Sequence, residues 1–131
     1  MILQVGVKIL LKNKEDKYLL VRRSSEKYRE VGAVWDIVGG RIEAGTALLE
    51  NLKREIFEET KLELIGEPKL IAAQDILKLD KHVVRLTYIG EAQGDVILDE
   101  ENTEYKWFRR EELYQIEELD AYLKEVLKSI E

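Results

Sequence analysis

Cysteine is absent from the 131-residue sequence, and histidine occurs once, at His82. Without cysteine the chain can form no disulfide bond, no thiolate nucleophile and no cysteine-ligated zinc site. A single histidine excludes a metal site built from several histidines and counts against a serine–histidine–aspartate arrangement. Composition alone therefore excludes thiol redox chemistry and the commonest zinc chemistries.

Long apolar runs and basic tracts are also missing. No stretch approaches the ~18 consecutive apolar residues of a transmembrane helix, and residues 1–11 lack the basic region and cleavage site of a signal peptide. Acidic residues outnumber basic ones by 27 to 21, which gives a net charge of −6. Nucleic-acid polymers and anionic membranes need a basic surface, so neither is expected as a partner. These features predict a soluble cytoplasmic protein with one domain over residues 1–131.

The apolar pattern predicts both strands and helices. Runs rich in valine, isoleucine and leucine predict a hairpin at residues 2–12 and 18–23, and further strands at 63–78, 82–92 and 105–108. The interleaving of these strands with helical segments favours an α/β sandwich with a mixed sheet over an all-β barrel.

Two segments carry helical periodicity. Apolar residues recur about every 3.6 positions between Thr46 and Thr60, and again from Leu113 to the C terminus. The C-terminal stripe is most simply a helix that covers one face of the sheet, and a homodimer contact is its second interpretation.

The first predicted helix carries three glutamates on one side. Glu55, Glu58 and Glu59 stand at positions i, i+3 and i+4, so they share an arc of about 100°. Like charges at these spacings repel one another, and neighbouring Leu52 and Ile56 place the arc at the edge of the core. A divalent cation would relieve the repulsion, and ligand sets made of oxygen atoms suit Mg²⁺ or Mn²⁺. A merely solvated acidic face is the alternative.

Three glycines precede this helix, at Gly39, Gly40 and Gly45. Glycine permits backbone conformations closed to other residues and lets a ligand approach the main chain closely. The Thr46 hydroxyl is expected to cap the helix N terminus. A glycine loop followed by a carboxylate-bearing helix is compatible with a phosphate substrate bridged by a cation.

Residues 40–62 resemble the signature of the Nudix hydrolases, Gly-x5-Glu-x7-Arg-Glu-U-x-Glu-Glu-x-Gly-U, in which U is apolar. Gly40 opens the pattern, residues 54–59 match its centre without a gap, and Leu62 closes it. The order of strands, loop and helix is similar to the family across most of the chain. The resemblance implies a Nudix-type α/β/α sandwich with a mixed β-sheet, in which water attacks a phosphorus atom of a diphosphate.

The resemblance also implies roles for individual residues. Glu55, Glu58 and Glu59 would bind Mg²⁺ or Mn²⁺ together with the Gly40 carbonyl. The catalytic group would comprise Glu55, Glu58 and Arg54, with one glutamate, Glu55 for preference, as general base. Arg54 would orient a neighbouring carboxylate.

Assignments outside the signature have alternatives. Arg23 is a candidate phosphate contact, although an ordinary surface arginine fits equally well. Trp35 either stacks on a base or packs at the core, and Gly39 is expected to lie against the substrate. By the resemblance, an acid in the region before the last strand often binds metal, and Glu104 is preferred there over Glu101.

Two positions depart from the signature. Thr46 replaces its first glutamate and Lys61 replaces its glycine. That glutamate commonly pairs with the arginine, so the resemblance implies that Arg54 has lost a partner. Our hypothesis is that Glu50, four residues earlier, replaces it. Lys61 is expected to end the helix, at a cost of ~1 kcal/mol if it becomes left-handed.

The choice of substrate is narrowed only by the absence of the sequence features that are typical of particular Nudix subfamilies. A short chain without insertions is similar to the nucleoside-triphosphate pyrophosphohydrolases, so cleavage of an unmodified or oxidised (d)NTP to (d)NMP and pyrophosphate is the preferred hypothesis. An ADP-ribose or nucleotide-sugar pyrophosphatase is one alternative. A non-catalytic module that binds nucleotides is the other, supported only by Thr46 and Lys61.

Overall fold

The computed structural model describes residues 1–23 and 34–131. Within them lies one sheet with strands β1 (Ile2–Lys12), β2 (Lys17–Arg23), β3 (Trp35–Asp36), β4 (Val38–Arg41), β5 (Glu63–Leu77), β6 (Lys81–Gln93) and β7 (Asn102–Arg109). The helices there are α1 (Leu48–Thr60), α2 (Arg110–Leu113) and α3 (Ala121–Ser129).

Strand β1 lies at the centre of the sheet. It pairs in parallel with β6 and antiparallel with β2 and β4. The strand order is β3-β2-β1-β6-β5, and β7 pairs with β2. The predicted hairpin and the predicted α/β fold with a mixed sheet are both confirmed.

Two hydrophobic clusters hold the helices against opposite faces of the sheet. Alternation along β1 sends Val7, Ile9 and Leu11 into the cluster under α1, and sends Leu10 into the cluster under α2 and α3. α1 contributes Leu52 and Ile56, and α3 contributes Leu123 and Leu127, all at most 2% exposed. Burial of one such side chain contributes ~1.5–3 kcal/mol. This packing fixes where the glutamates of α1 stand relative to β4.

The N-terminal end of α1 differs from the prediction, whereas its C-terminal end agrees with it. The helix begins at Leu48, and its N-cap is Ala47, which makes no side-chain capping bond. The prediction that Thr46 caps the helix is therefore wrong, because Thr46 lies one residue too early. Its carbonyl instead accepts a hydrogen bond from Asn51 Nδ2 at 2.8 Å. At the other end, Lys61 takes the left-handed conformation with φ 63° and ends the helix as expected.

The C-terminal region is less helical than its apolar stripe predicts. α2 ends at Leu113, and α3 starts only after Asp120, whose carboxylate accepts two hydrogen bonds from backbone N–H groups of the first turn of α3. Between the two helices the backbone pairs with Trp35. The Trp35 N–H donates to the Glu118 carbonyl at 2.7 Å, and the Asp120 N–H donates to the Trp35 carbonyl at 2.9 Å. A continuous helix from Leu113 is therefore wrong, because this pairing takes backbone groups that the helix would need.

Candidate active site

A cavity of about 490 Å³ joins the carboxylates of α1 to the sheet. Its acidic end consists of Glu55, Glu58 and Glu59 with Asp99 and Glu101 from the loop before β7. The strands complete the lining with Gln4, Val5, Gly6, Lys8, Arg23, Gly39, Gly40, Arg41, Ile76, Val83 and Arg85.

Gly39 and Gly40 allow the α1 carboxylates to approach β4. A Cβ on Gly40 would lie 2.6 Å from Glu55 Oε2, so any side chain there would displace the carboxylate. Gly39 has φ 145°, and a Cβ on it would lie 2.0 Å from the Val7 carbonyl oxygen. The Gly39 N–H donates to Glu59 Oε2 at 2.7 Å. Both glycines are therefore needed for the position of the acidic end.

Glu59, Asp99 and Glu101 form an acidic cluster. One carboxylate oxygen from each lies within 4.8 Å of the other two. Asn102 Nδ2 donates to Glu59 Oε1 at 3.3 Å and to Asp99 Oδ1 at 3.2 Å. The Glu101 N–H also donates to Asp99 Oδ1, at 3.2 Å. The Asn102 amide thus joins the carboxylates of Glu59 and Asp99, and the backbone N–H ties Glu101 to Asp99.

The charge of Glu59 is costly in this position. Burial raises its pKa to about 7, although Lys8, the Gly39 N–H and Asn102 all favour the charged form. A divalent cation would compensate the buried charge, and carboxylate oxygens are the ligands that Mg²⁺ and Mn²⁺ prefer. The residues present therefore fit a divalent cation.

Arg54 lies against several carboxylates at once. Its Nη1 is 3.3 Å from Glu55 Oε1, 3.6 Å from Glu58 Oε2 and 3.6 Å from Glu43 Oε1. The pKa of Glu55 is raised, chiefly by burial, while Arg54 opposes the shift and Glu58 and Glu101 reinforce it. The contact with Glu55 is the geometry that an orienting arginine requires.

Lys8 and Arg85 bring positive charge to the sheet side of the cavity. Lys8 Nζ lies 3.2 Å from Asp36 Oδ2 and donates to the Ile37 carbonyl at 3.1 Å. Arg85 lies 3.0 Å from Asp36 Oδ1 and 3.3 Å from Asp120 Oδ2. Burial alone would raise the pKa of Asp36, but Lys8 and Arg85 bring it below its ordinary value. Sequence reasoning missed this group, whose signal is a charged residue inside an apolar strand: VKILL for Lys8 and VVRLT for Arg85.

Comparison with known families decides the identity of the fold. The sequence matches the model of the NUDIX domain over residues 2–130. The chain belongs to the Nudix family. The MutT protein from Methanosarcina mazei Go1 is 28% identical, with a TM-score of 0.85 over 98% of this chain and 92% of that chain. A MutT Nudix hydrolase from Burkholderia pseudomallei shares the fold, with 19% identity and a TM-score of 0.84 over 100% of both chains. No curated protein sequence matches this chain.

Nudix membership confirms the resemblance that residues 40–62 carry. It also confirms the assignment to enzymes that hydrolyse the phosphoanhydride bond of small nucleotide substrates. Over the described residues, no helix combines the length and the apolar character that crossing a membrane requires.

Position 46 lacks the glutamate of the Nudix signature, and the partner that Arg54 finds instead is not the one that we expected. Glu50 is exposed, and the ion pairs of Arg54 among the described residues do not include it. Arg54 Nη2 instead donates to Asn51 Oδ1 at 2.9 Å. The hypothesis that Glu50 replaces the missing partner is therefore wrong, because Glu50 stands on the solvent side of α1.

Glu104 does not join the Nudix acidic cluster. Strand β7 starts at Asn102, which places Glu104 opposite Arg22 in the β2–β7 ladder. Glu104 Oε1 lies 3.7 Å from Arg22 Nη1, and Glu104 does not line the cavity. Asp99 and Glu101 occupy the place that we expected for Glu104. Asp99 was missed because an aspartate in a polar loop carries no periodic signal.

Of the three predicted substrate contacts, Arg23 and Gly39 line the cavity, and Trp35 does not. Trp35 packs edge-on against Phe108, with ring centroids 5.6 Å apart, at the cluster under α3. Arg22 lies over its indole ring, 5.2 Å from the centroid. The core interpretation of Trp35 therefore agrees with the structure, and the base-stacking interpretation does not.

Proposed function

We propose that this Nudix hydrolase converts an unmodified or oxidised (d)NTP to (d)NMP and pyrophosphate in the presence of Mg²⁺ or Mn²⁺. The observation that supports this is the shared cavity, in which an acidic cluster faces Lys8, Arg23 and Arg85. A cation on the carboxylates would bridge them to an anionic substrate. The volume of about 490 Å³ lies within the ~300–1,000 Å³ typical of small-molecule sites.

The proposed cation ligands all line this cavity. They are the Gly40 carbonyl and the carboxylates of Glu55, Glu58, Glu59, Asp99 and Glu101. When bound, the cation would neutralise phosphate charge and favour deprotonation of water.

Glu55 is the proposed general base. Water adds to a phosphorus atom, one of its protons passes to a carboxylate oxygen of Glu55, and the bond from that phosphorus to the leaving pyrophosphate oxygen breaks. The side chain of Glu55 is only 14% exposed, and in the metal-free protein burial raises its pKa above the ordinary value. Arg54 holds the Glu55 carboxylate through the 3.3 Å contact, and Glu58 lies one turn further along α1.

A substrate panel tests this proposal. The protein is incubated with Mg²⁺ or Mn²⁺ and with NTPs, dNTPs, oxidised dNTPs, ADP-ribose and nucleotide sugars, and the products are separated by chromatography. We expect (d)NMP and pyrophosphate, with kcat reduced about 100-fold or more in Glu55→Gln. Glu50→Gln, on the exposed side of the same helix, is the matched control and keeps wild-type kcat. Turnover of ADP-ribose or a nucleotide sugar without turnover of any triphosphate would contradict the proposed substrate.

A further inference from the structure

Asn51 is a polar side chain of α1 with 0% exposure. Its Oδ1 accepts hydrogen bonds from the Glu43 N–H and from Arg54 Nη2, both at 2.9 Å. Its Nδ2 donates to the carbonyls of Thr46 and Ala47 at 2.8 and 2.9 Å. A carboxamide offers two acceptor positions and two donor hydrogens. All four are used, so neither rotation nor displacement of the amide is free of cost.

The four bonds join two parts of the active site. One part is the segment 43–47, which leads from the glycine loop into α1, and the other is Arg54. Because Asn51 and Arg54 are three residues apart in the helix, their side chains share one face. Arg54 Nη1 faces Glu43, Glu55 and Glu58 at similar distances, between 3.3 and 3.6 Å. Charge attraction alone leaves several orientations of the guanidinium close in energy. Nη2 donates to Asn51 Oδ1 at 2.9 Å and, at the limiting distance of 3.5 Å, to the Arg41 carbonyl, so the bond to Asn51 is the closer one that selects an orientation.

Position 46 supplies no side-chain partner in this arrangement. Thr46 stands where the Nudix signature has a glutamate, and Ala47, the N-cap of α1, makes no side-chain capping bond. The carbonyl of Thr46 is bound by Asn51. The nearest acceptor for Arg54 Nη2, at 2.9 Å, thus comes from within the helix.

We propose that Asn51 is a positioning residue that supplies the acceptor for Arg54 in place of a glutamate at position 46. It holds the guanidinium against Glu55 and ties it to the loop that follows β4. Its effect on catalysis rests on the proposed function, whereas its effect on Arg54 does not.

The orientation of Arg54 is measured first, without metal or substrate. Guanidinium ¹⁵N–¹H NMR spectra are recorded for the wild type, Asn51→Ala and Glu50→Ala, with Arg54→Lys used to assign the signal. We expect resolved Nη–H signals from a guanidinium with restricted rotation in the wild type and in Glu50→Ala. In Asn51→Ala these signals average. Resolved signals that persist in Asn51→Ala overturn the proposal.

Metal binding and kinetics are measured next, with Mn²⁺ as the calorimetric probe. We expect Asn51→Ala to weaken Mn²⁺ binding or to lower kcat by about 10–100-fold, while KM changes little. The double variant Thr46→Glu/Asn51→Ala regains most of the loss, because a glutamate at position 46 restores an acceptor. Thr46→Ala/Asn51→Ala regains none.

Three outcomes separate positioning from structural support. A lower Tm with unchanged Mn²⁺ affinity and kcat overturns the proposal, as does a Thr46→Glu/Asn51→Ala variant no better than Asn51→Ala. If Asn51→Ala does not fold, Asn51→Leu, which is close in volume, replaces it, and failure of both to fold shows a structural role and overturns the proposal. If the wild type neither binds Mn²⁺ nor cleaves nucleotides, the proposed function fails while the NMR result still decides the role of Asn51.

Discussion

Glu59 lies between α1 and β4 with 5% exposure, and it is the most deeply buried carboxylate of the acidic cluster. Three partners favour its charge, yet burial raises its pKa to about 7. A charged carboxylate in this position lowers the stability of the folded metal-free protein relative to a neutral group of the same shape. Positions of this kind are common at functional sites, because the charge that folding disfavours is the charge that the ligand requires.

The stability of the metal-free protein is expected to depend on pH through Glu59. The folded protein binds the Glu59 proton more tightly than the unfolded chain, where the pKa is the ordinary 4.5. This contribution is therefore fully present below about pH 4.5 and is lost as the pH rises to about 7. We expect Glu59→Gln to gain up to about 3 kcal/mol in unfolding free energy relative to the wild type between pH 5 and pH 8.

Urea unfolding in EDTA at several pH values measures this difference. Glu63→Gln, an exposed glutamate outside the cavity, is the control and should follow the pH dependence of the wild type. Parallel curves for Glu59→Gln and the wild type would show that Glu59 does not titrate in this range.

At the scale of elements, α1 is held by core packing and by its C-cap, but its N-cap residue offers no capping side chain. Its apolar side is buried through Leu52 and Ile56, and its last turn is closed by the left-handed Lys61. At the first turn the N-cap is Ala47, with φ −62° and ψ 153°, and its side chain makes no capping hydrogen bond to the free N–H groups. α3 shows the contrast, since Asp120 accepts two such bonds.

Replacing Ala47 with serine is expected to stabilise the protein. The backbone already has the extended conformation of an N-cap, and a serine hydroxyl can accept from the N–H groups of the first turn. We expect Ala47→Ser to raise the unfolding free energy by about 0.5–1 kcal/mol, measured by urea unfolding. Ala44→Ser, in the exposed turn three residues earlier, should change it little. Equal effects of the two variants would contradict capping as the cause.

At the scale of the whole molecule, the charged residues behind the net charge of −6 are unevenly distributed. Five acids line one end of the cavity, and Lys8 and Arg85 are held by Asp36 and Asp120 at the other. The excess of negative charge, which counts against polymeric nucleic acids as partners, is thus partly concentrated at one site. A divalent cation bound there would reduce the repulsion between these carboxylates, which the rest of the fold must otherwise offset.

Cation binding is therefore expected to stabilise the folded chain as a whole. For a site with a Kd of about 0.1 mM, 10 mM Mg²⁺ adds about 2.7 kcal/mol, which raises Tm by about 5–10 °C. Calorimetry with Mg²⁺, and with NaCl at equal ionic strength, separates binding from screening. Asp99→Asn/Glu101→Gln should lose the increase, whereas Glu50→Gln/Glu63→Gln, with the same change in charge, should keep it. An equal rise with NaCl would exclude a specific site.

How far the sequence predicts the molecule depends on the range of the interactions. The five longer strands and α1 were predicted because their apolar patterns are local, and the Nudix signature lies within 23 residues, whereas the short strands β3 and β4 were not predicted. The C-terminal helix was overextended, since the backbone of Trp35 pairs with residues about 80 positions later. Likewise Asp99 enters the site through a loop, and Glu104 leaves it through strand register with Arg22. Such long-range placements have no local signature. The single-domain boundary and the cytoplasmic location remain predictions.

The central place of β1 has a consequence for synthesis on the ribosome. Its parallel partner is β6, in which Lys81 pairs with Ile2 and Glu91 with Lys12. The β1–β2 hairpin is therefore synthesised well before β6 exists, and one edge of β1 stays open until β6 has been made. Closing that long loop is a slow step, and the apolar side chains of β1 are exposed until it occurs. Aggregation of nascent chains should thus concentrate in β1, the strand that also lines the active-site cavity through Gln4, Val5, Gly6 and Lys8.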